Sequence, residues 1–149
     1  MKILVINPGS TSTKVSVFED EEVVFTDSVF HDAPLLLSFP TVPDQTQMRK
    51  DVTRKFLLDR GMDVSDMDVI VGRGGGAHSQ RAGVTIIDKT LYDDTKNNVG
   101  GSDHASMLGV LVAYELGVEF NKPSYTLNPT NIDEFIDEDL NIIGINFEE

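Results

Sequence analysis

The chain has 149 residues, 40% of them apolar and 25% charged, the balance of one soluble globular domain with a substantial core. Its 12 basic and 25 acidic residues give a net charge of −13, so neither nucleic acid nor an anionic membrane is expected as a partner. The absence of cysteine excludes a disulfide scaffold and a thiolate metal site. With no leader-like amino terminus and no apolar run of membrane-spanning length, we expect a cytoplasmic protein.

The first 30 residues predict three strands, at residues 2–7, 13–19 and about 22–30. A β-branched apolar run forms the first strand, and the second alternates apolar and polar side chains. Turn-forming residues follow the first strand, and the acidic residues 19–22 form the turn between the second and third. Strands joined by such tight turns are normally antiparallel neighbours.

The bend after the first strand, within ILVINPGSTSTK, combines a glycine, four hydroxyls, a carboxamide and a lysine. Glycine lets backbone N–H groups crowd round an anion, hydroxyls donate to its oxygens, and lysine supplies positive charge. This chemistry is typical of a loop that holds phosphate. Turns of similar composition also join hairpins that bind nothing, so a plain turn is the alternative.

A loop containing three prolines comes next, and a helix is predicted at 44–60. Proline suits a first helical turn, so Pro43 marks its start, and Gly61 marks its end. Its buried stripe is expected to repeat every four residues, at Met48, Val52 and Phe56.

The remaining chain predicts alternating strands and helices. Strands are expected at residues 68–71, 84–87 and 124–127, and helices at residues 91–98 and 103–116. For the last helix, Ser102 is the expected N-cap and Gly117 the expected end. Three antiparallel strands followed by this alternation predict an α/β layer fold with a mixed five-stranded sheet and helices packed on it.

The bend also carries a spaced pattern, N-x-G-S-x-S-x-K, which resembles the first phosphate motif of the acetate and butyrate kinases. Those enzymes belong to the actin, sugar kinase and Hsp70 superfamily, whose other branches usually begin this motif with aspartate. Asparagine here, with the proline that follows it, is closer to butyrate kinase. The residues matching the pattern are Asn7, Gly9, Ser10, Ser12 and Lys14.

Three further segments resemble that family. VGRGG after the fourth strand resembles its motif for the substrate carboxylate or acyl phosphate, with Arg73, Gly74 and Gly75 as candidates. DHASMLG resembles EHASNLG, with His104 as a site-lining candidate and methionine in place of the family asparagine. Leu-Asn-Pro stands where the family commonly has Val-Asp-Pro, so Asn128 replaces a carboxylate near the attacked substrate.

The resemblance implies a ribonuclease H-like, actin-like ATPase domain. It covers nearly the whole chain but only the family's first domain, so residues 1–149 are expected to be one amino-terminal domain. The second, nucleotide-binding domain would be absent, whether the chain is a fragment or a free-standing half. We therefore expect little or no kinase turnover from this chain alone.

The implied reaction is reversible transfer of a phosphoryl group from ATP to a short-chain fatty acid, with Mg²⁺ accompanying the nucleotide. Asn7, Ser10, Ser12 and Lys14 would hold the phosphoryl group with magnesium. Arg73 would orient the carboxylate. The implied partners are a short-chain fatty acid or its acyl phosphate, and ATP or ADP, with homodimerisation left open.

Two alternatives remain open. One is a non-catalytic module of the same origin, which binds phosphate or carboxylate or serves in dimerisation. The other is a member of the sugar kinase or activator-ATPase branch, which Asn7 disfavours because those branches place aspartate there. An acidic stretch at residues 133–149 lacks the spacing of a calcium loop and is expected to be a solvated surface.

Overall fold

A computed structural model describes residues 1–75, 82–101 and 103–128, and these form one mixed sheet with α2 and α4 packed on one face. The strands, in chain order, are β1 (Lys2–Pro8), β2 (Ser12–Glu19), β3 (Glu22–Phe30), β4 (Val69–Gly72), β5 (Val84–Ile86) and β6 (Ser124–Leu127). The helices are α1 (Ala33–Leu37), α2 (Thr46–Leu58), α3 (Lys89–Lys96) and α4 (Met107–Phe120), with 3₁₀ turns at Pro43–Gln45 and Val64–Asp66.

The sheet has the strand order β3-β2-β1-β4-β6-β5. The pairs β1–β2, β2–β3 and β5–β6 are antiparallel, whereas β1–β4 and β4–β6 are parallel. The predicted α/β class and mixed sheet are confirmed. The predicted number of five strands is wrong, because β5 pairs along the outer edge of β6 and makes a sixth.

Alternation along the central strands places one set of side chains in the core. Leu4 and Ile6 of β1 are fully buried beside Val15 and Val17 of β2. Side chains from both long helices complete this cluster: Phe56, Leu57, Val110, Val112, Ala113 and Leu116. No helix in the described ranges has both the length and the apolar character needed to cross a bilayer.

Helix α2 buries a different face from the one predicted. Phe56 is buried as expected, but Met48 and Val52 are only partly buried. The buried positions are instead largely polar: Thr46, Arg49, Lys50, Thr53, Phe56 and Leu57. Gly61 follows the helix with φ of 72°, and its N–H donates to the carbonyl of Leu58, as a helix-ending glycine does.

Helix α4 begins and ends later than predicted. It starts at Met107 rather than residue 103, and its C-cap is Asn121 in the left-handed conformation, with φ of 53°. Gly117 lies inside the helix, where a Cβ would overlap the Ser124 hydroxyl of β6. This glycine therefore serves close packing, and the prediction that it ends the helix is wrong. The proposed N-cap, Ser102, lies outside the described residues.

Other boundaries shift by smaller amounts. Helix α3 starts at Lys89 because the Asp88 carboxylate accepts from the N–H of Leu91 at 2.8 Å, an N-cap that the sequence prediction missed. Helix α1 lies within the stretch predicted as a loop.

Glycines allow α4 to lie directly against the end of β4. A Cβ at Gly72 would overlap the carbonyl oxygen of Gly109, and a Cβ at Gly109 would overlap the carbonyl of Arg73. A side chain at either position would force the helix and strand apart. This contact fixes where the chain leaves β4.

Candidate functional site

The bend between β1 and β2 leaves donors facing outward. The N–H of Gly9 donates to the carbonyl of Ser12 at 2.7 Å, so it is already used. The N–H groups of Ser10 and Thr11 have no hydrogen-bond partner among the described residues, and both residues are exposed. Two backbone donors of the predicted loop are therefore available to a ligand, but that of Gly9 is not.

One of the four hydroxyls in the bend turns inward. Thr13 is fully buried, and its Oγ1 lies 2.9 Å from Nε2 of His31 and accepts from Nη1 of Arg49 at 2.9 Å. The hydroxyls of Ser10, Thr11 and Ser12 have no hydrogen-bond partner within the described ranges. Three hydroxyls thus stay available.

Arg49 of α2 lies directly beneath the bend and is fully buried. Nη1 donates to the Ser12 carbonyl at 2.8 Å, and Nη2 donates to the Gly9 carbonyl at 3.1 Å and to Oε1 of Gln45 at 2.9 Å. Sequence reasoning missed this residue. The available signal was helical spacing, because Arg49 shares a face with Thr53 and Phe56 at i, i+4 and i+7.

Two titratable groups behind the bend are perturbed. Burial lowers the pKa of Arg49 to about 10, so its guanidinium stays charged at neutral pH. Burial, and then the nearby charge of Arg49, lowers the pKa of His31. With a proton on Nδ1, a neutral His31 can accept the hydroxyl proton of Thr13 at Nε2.

Three polar side chains form a row across neighbouring strands on the sheet face opposite the core. Lys14 of β2 pairs with Asn7 of β1, and Ile6 pairs with Gly72, so Arg73 comes next to Asn7. The Arg73 N–H donates to the Ile6 carbonyl at 2.8 Å and extends this register. Lys14 and Arg73 are exposed, and neither side chain forms an ion pair or hydrogen bond with a described residue.

The glycines after Arg73 are held by their carbonyls. The Gly74 carbonyl accepts from Oγ1 of Thr126 at 2.9 Å, and the Gly75 carbonyl accepts from Oγ of Ser106 at 3.3 Å. Gly74 has φ of 137°, a conformation that favours glycine. These contacts tie the segment to β6 and to the start of α4. Gly76 and His78 lie outside the described residues.

His104 precedes α4 and is exposed. Its Nδ1 accepts the N–H of Ser106 at 3.1 Å and lies 3.0 Å from the Ser106 hydroxyl, which requires an unprotonated Nδ1. The first N–H groups of the helix donate to carbonyls one turn back, so they are not free for an anion. Because the Ser106 hydroxyl contacts both His104 and the Gly75 carbonyl, His104 lies close to the glycine segment.

Asn128 follows β6 in the left-handed region, with φ of 41°. Its Oδ1 accepts from the N–H of Gly83 at 2.8 Å, and its N–H donates to the Gly83 carbonyl at 3.0 Å. The amide oxygen at this position is thus engaged in closing β6 against β5. The acidic stretch at residues 133–149 lies outside the described residues.

A groove of about 470 Å³ runs along the sheet face opposite the core. Its lining is largely apolar, and Arg73 and Asn128 lie at the end where the chain leaves β4 and β6: Ile3, Val5, Phe18, Asp20, Val71, Arg73, Leu127 and Asn128. The groove thus shows which side chains share this face.

Oxygen atoms of Asn7 and of the adjoining bend suit a magnesium ion that is bound together with phosphate. The part of the chain that the structure describes contains no cluster of three histidine, cysteine or carboxylate side chains that could hold a metal ion. The Asn7 carboxamide and the Ser10 and Ser12 hydroxyls offer oxygen atoms, the ligands that Mg²⁺ prefers. These residues fit a metal held mainly by the phosphates.

The structure thus brings Asn7, Lys14 and Arg73 together on one face, with Ser10 and Ser12 in the adjoining bend. His104 contacts the glycine segment through Ser106, whereas the oxygen of Asn128 is directed to Gly83.

Curated relatives of the chain are butyrate kinases. It is 38% identical over 136 residues to a probable butyrate kinase of Clostridium botulinum, covering 91% of this chain and 38% of that protein. It is 37% identical over 144 residues to butyrate kinase 1 of Clostridium acetobutylicum, covering 97% of this chain and 40% of that protein. The chain therefore spans about two fifths of the length of these relatives. No model of a protein family matches it.

Solved structures show the same fold. The acetate kinase of Porphyromonas gingivalis superposes with a TM-score of 0.55 at 13% identity, covering 96% of this chain and 43% of that one. The acetate kinase of Entamoeba histolytica gives a TM-score of 0.54 at 16% identity, covering 85% and 34%. The fold is thus of the actin-like ATPase type, and the sequence is similar to about two fifths of the length of the butyrate kinases.

Proposed function

We propose that this chain supplies the phosphate-binding and carboxylate-binding side of a kinase that phosphorylates a short-chain fatty acid. The observation that carries the proposal is the row of Lys14 on β2, Asn7 on β1 and Arg73 directly after β4. In a chain of net charge −13, two exposed cations without a partner among the described residues favour a bound anion.

The roles follow from position. Lys14, Asn7 and the donors of Ser10 and Ser12 hold the phosphoryl group that is transferred. The planar fork of Arg73 matches a carboxylate and orients it. His104 lines the same segment, and Gly74 lets that segment lie against the backbone of Ser106. Magnesium, bound with the nucleotide, neutralises phosphate charge while these side chains keep the two reactants in place.

The reaction needs no strong base, because a carboxylate is already nucleophilic. One carboxylate oxygen forms a new bond to the terminal phosphorus of ATP. The bond from that phosphorus to the bridging oxygen breaks, and its electron pair leaves with ADP. The products are an acyl phosphate and ADP, and placement and charge neutralisation provide most of the catalysis. This whole reaction is proposed for a protein of the relatives' full length, and binding is proposed for these 149 residues.

The carboxylate role is tested by calorimetry with butyrate on the chain and two variants. Arg73→Gln should weaken butyrate binding about tenfold or more, because a charge-assisted hydrogen-bonded pair is lost. Arg54→Gln is the matched control: it removes the same charge from the α2 surface, where Arg54 pairs with Glu119, and should leave affinity unchanged. Equal weakening by both variants, or no butyrate binding to the unmodified chain, would contradict the proposal.

A second candidate function is a non-catalytic binding module of this family. Asn128 favours it, because the position carries an amide whose oxygen is bonded to Gly83 rather than a free carboxylate. Titrations of a protein of the relatives' full length with inorganic phosphate, butyrate and MgATP separate the candidates. Anion binding without nucleotide binding favours the module, and acyl phosphate formed from MgATP and butyrate favours the enzyme.

A further inference from the structure

We propose that Arg49 is a positioning residue for the phosphate loop and supplies a buried counter-charge behind it. This inference rests on the proposed phosphate site between β1 and β2. It assigns a role to a residue that lies outside every motif recognised in the sequence.

The guanidinium of Arg49 is a buried charge with no carboxylate partner among the described residues. It is 0% exposed, and within the described ranges it forms no ion pair. Charged side chains are rarely buried unless they are paired, because desolvation is costly. Nε of Arg49 also has no hydrogen-bond partner in the part of the chain that the structure describes. The protein thus retains a buried positive charge that its own described acidic residues do not neutralise.

The next residue on the same helix provides an internal contrast. Lys50 is also buried, at 8% exposed, but its Nζ lies 3.2 Å from Glu115 and 3.3 Å from Glu119 of α4. Within the described residues, one of these two cations is therefore paired with carboxylates and the other is not. An anion that binds on the outer side of the bend would supply the missing negative charge.

The contacts of Arg49 also orient the bend. Its two terminal nitrogens hold the carbonyls of Gly9 and Ser12 inward. In a trans peptide the C=O and the following N–H point in opposite directions. Holding the Gly9 carbonyl toward the core therefore turns the N–H of Ser10 outward, where it has no partner among the described residues. Arg49 thus aims the donor that a phosphate would meet.

The same guanidinium explains why Thr13 does not join the outward hydroxyls. Arg49 donates to its Oγ1, and His31 lies on the other side of that hydroxyl. Gln45, one turn before Arg49, fixes the second terminal nitrogen at 2.9 Å. The guanidinium is thus held by four oxygen atoms in a single orientation.

The first test compares phosphate and butyrate affinities in Arg49 variants by calorimetry, with inorganic phosphate as the probe. Arg49→Met keeps an apolar stem and removes the charge, and should weaken phosphate binding about tenfold or more while leaving butyrate affinity unchanged. Arg49→Lys keeps the charge but not the fork, and should give an intermediate phosphate affinity. A purely structural role predicts a lower melting temperature with phosphate affinity unchanged, and that result would overturn the inference.

A second test uses the unmodified chain and stays informative if Arg49→Met does not fold. During a phosphate titration followed by NMR, the amide signals of Ser10 and Thr11 and the Nε–H signal of Arg49 should shift together. Shifts at Ser10 and Thr11 without a shift at Arg49 would refute the counter-charge while leaving the phosphate site intact. No shift at any of the three would refute the phosphate site itself.

Discussion

Thr13 has the role of a core residue although it lies in the middle of a polar motif. Strand alternation places it on the same face as Val15, where the side chain is fully buried. Its hydroxyl joins Arg49 to His31, so the bend is tied both to α2 and to the residue after β3. The inner side of the bend therefore carries polar contacts, as does the outer side.

This chain of contacts predicts a pH effect on stability. The pKa of His31 is lowered from its ordinary 6.5 by burial and then by the charge of Arg49. As pH decreases, His31 is therefore protonated in the unfolded chain before it is protonated in the folded chain. The free energy of unfolding should fall as pH decreases from above 6.5 through the lower pKa that His31 has in the folded chain. Urea unfolding at about pH 7.5 and about pH 5.5 measures this loss.

The control for this prediction is His31→Gln, which keeps a polar side chain without a titrating ring. It should lose less stability than the unmodified chain over the same pH interval, since only the contribution of His31 is removed. Identical losses in both proteins would show that the imidazole does not sense pH in this way.

At the residue scale, the sequence predicted only part of the candidate site. The period of two along β2 predicts that Lys14 faces away from Thr13 and Val15, and the structure agrees. The engagement of the Gly9 N–H with Ser12 was not predictable, because it depends on how the turn closes. Arg49 was missed because an arginine beside apolar residues is normally expected at the surface.

At the scale of elements, glycine contacts decide how close α4 and β4 can lie. Each of the two elements contributes a glycine, and the backbone carbonyl opposite would collide with any added Cβ. Sequence patterns predicted both elements, since each contains a run of apolar residues. The true ends of α4 were missed because a glycine within a helix can serve packing as well as termination.

Gly109→Ala tests this contact, because its expected effect on stability is opposite in sign to that of the same substitution in an exposed helix. In an exposed helix interior, alanine would stabilise by about 1 kcal/mol relative to glycine. Here the added Cβ would meet the carbonyl of Arg73, so we expect destabilisation of about 1–3 kcal/mol, measured from the urea midpoint. Gly9→Ala is the control, because its nearest atoms would lie at an ordinary 3.6 Å, and it should change stability by less than about 0.5 kcal/mol. Stabilisation by Gly109→Ala would contradict the packing argument.

At the scale of the whole molecule, the mixture of parallel and antiparallel pairs in the sheet decides which residues meet at its edge. Antiparallel β1–β2 pairing sets a bend beside Asn7, and parallel β1–β4 pairing sets the exit of β4 at the same edge. The sequence predicted these strands and the α/β class. It did not predict that β5 pairs with β6 as the sixth strand of the sheet. The position of a short edge strand is set by its neighbours and not by its three residues.

The spacing of strands also sets the distance between Lys14 and Arg73, whose side chains have no partner among the described residues. Neighbouring strands lie about 4.8 Å apart, so the backbones of Lys14 and Arg73, two strands apart, are separated by about 10 Å. A compound that joins both anionic groups through one carbon, such as phosphonoacetate, could engage both side chains at once. It should bind more tightly than acetate or inorganic phosphate alone, by effective concentration, and competition calorimetry would measure the gain. Affinity no greater than that of inorganic phosphate would mean that the two cations serve separate anions.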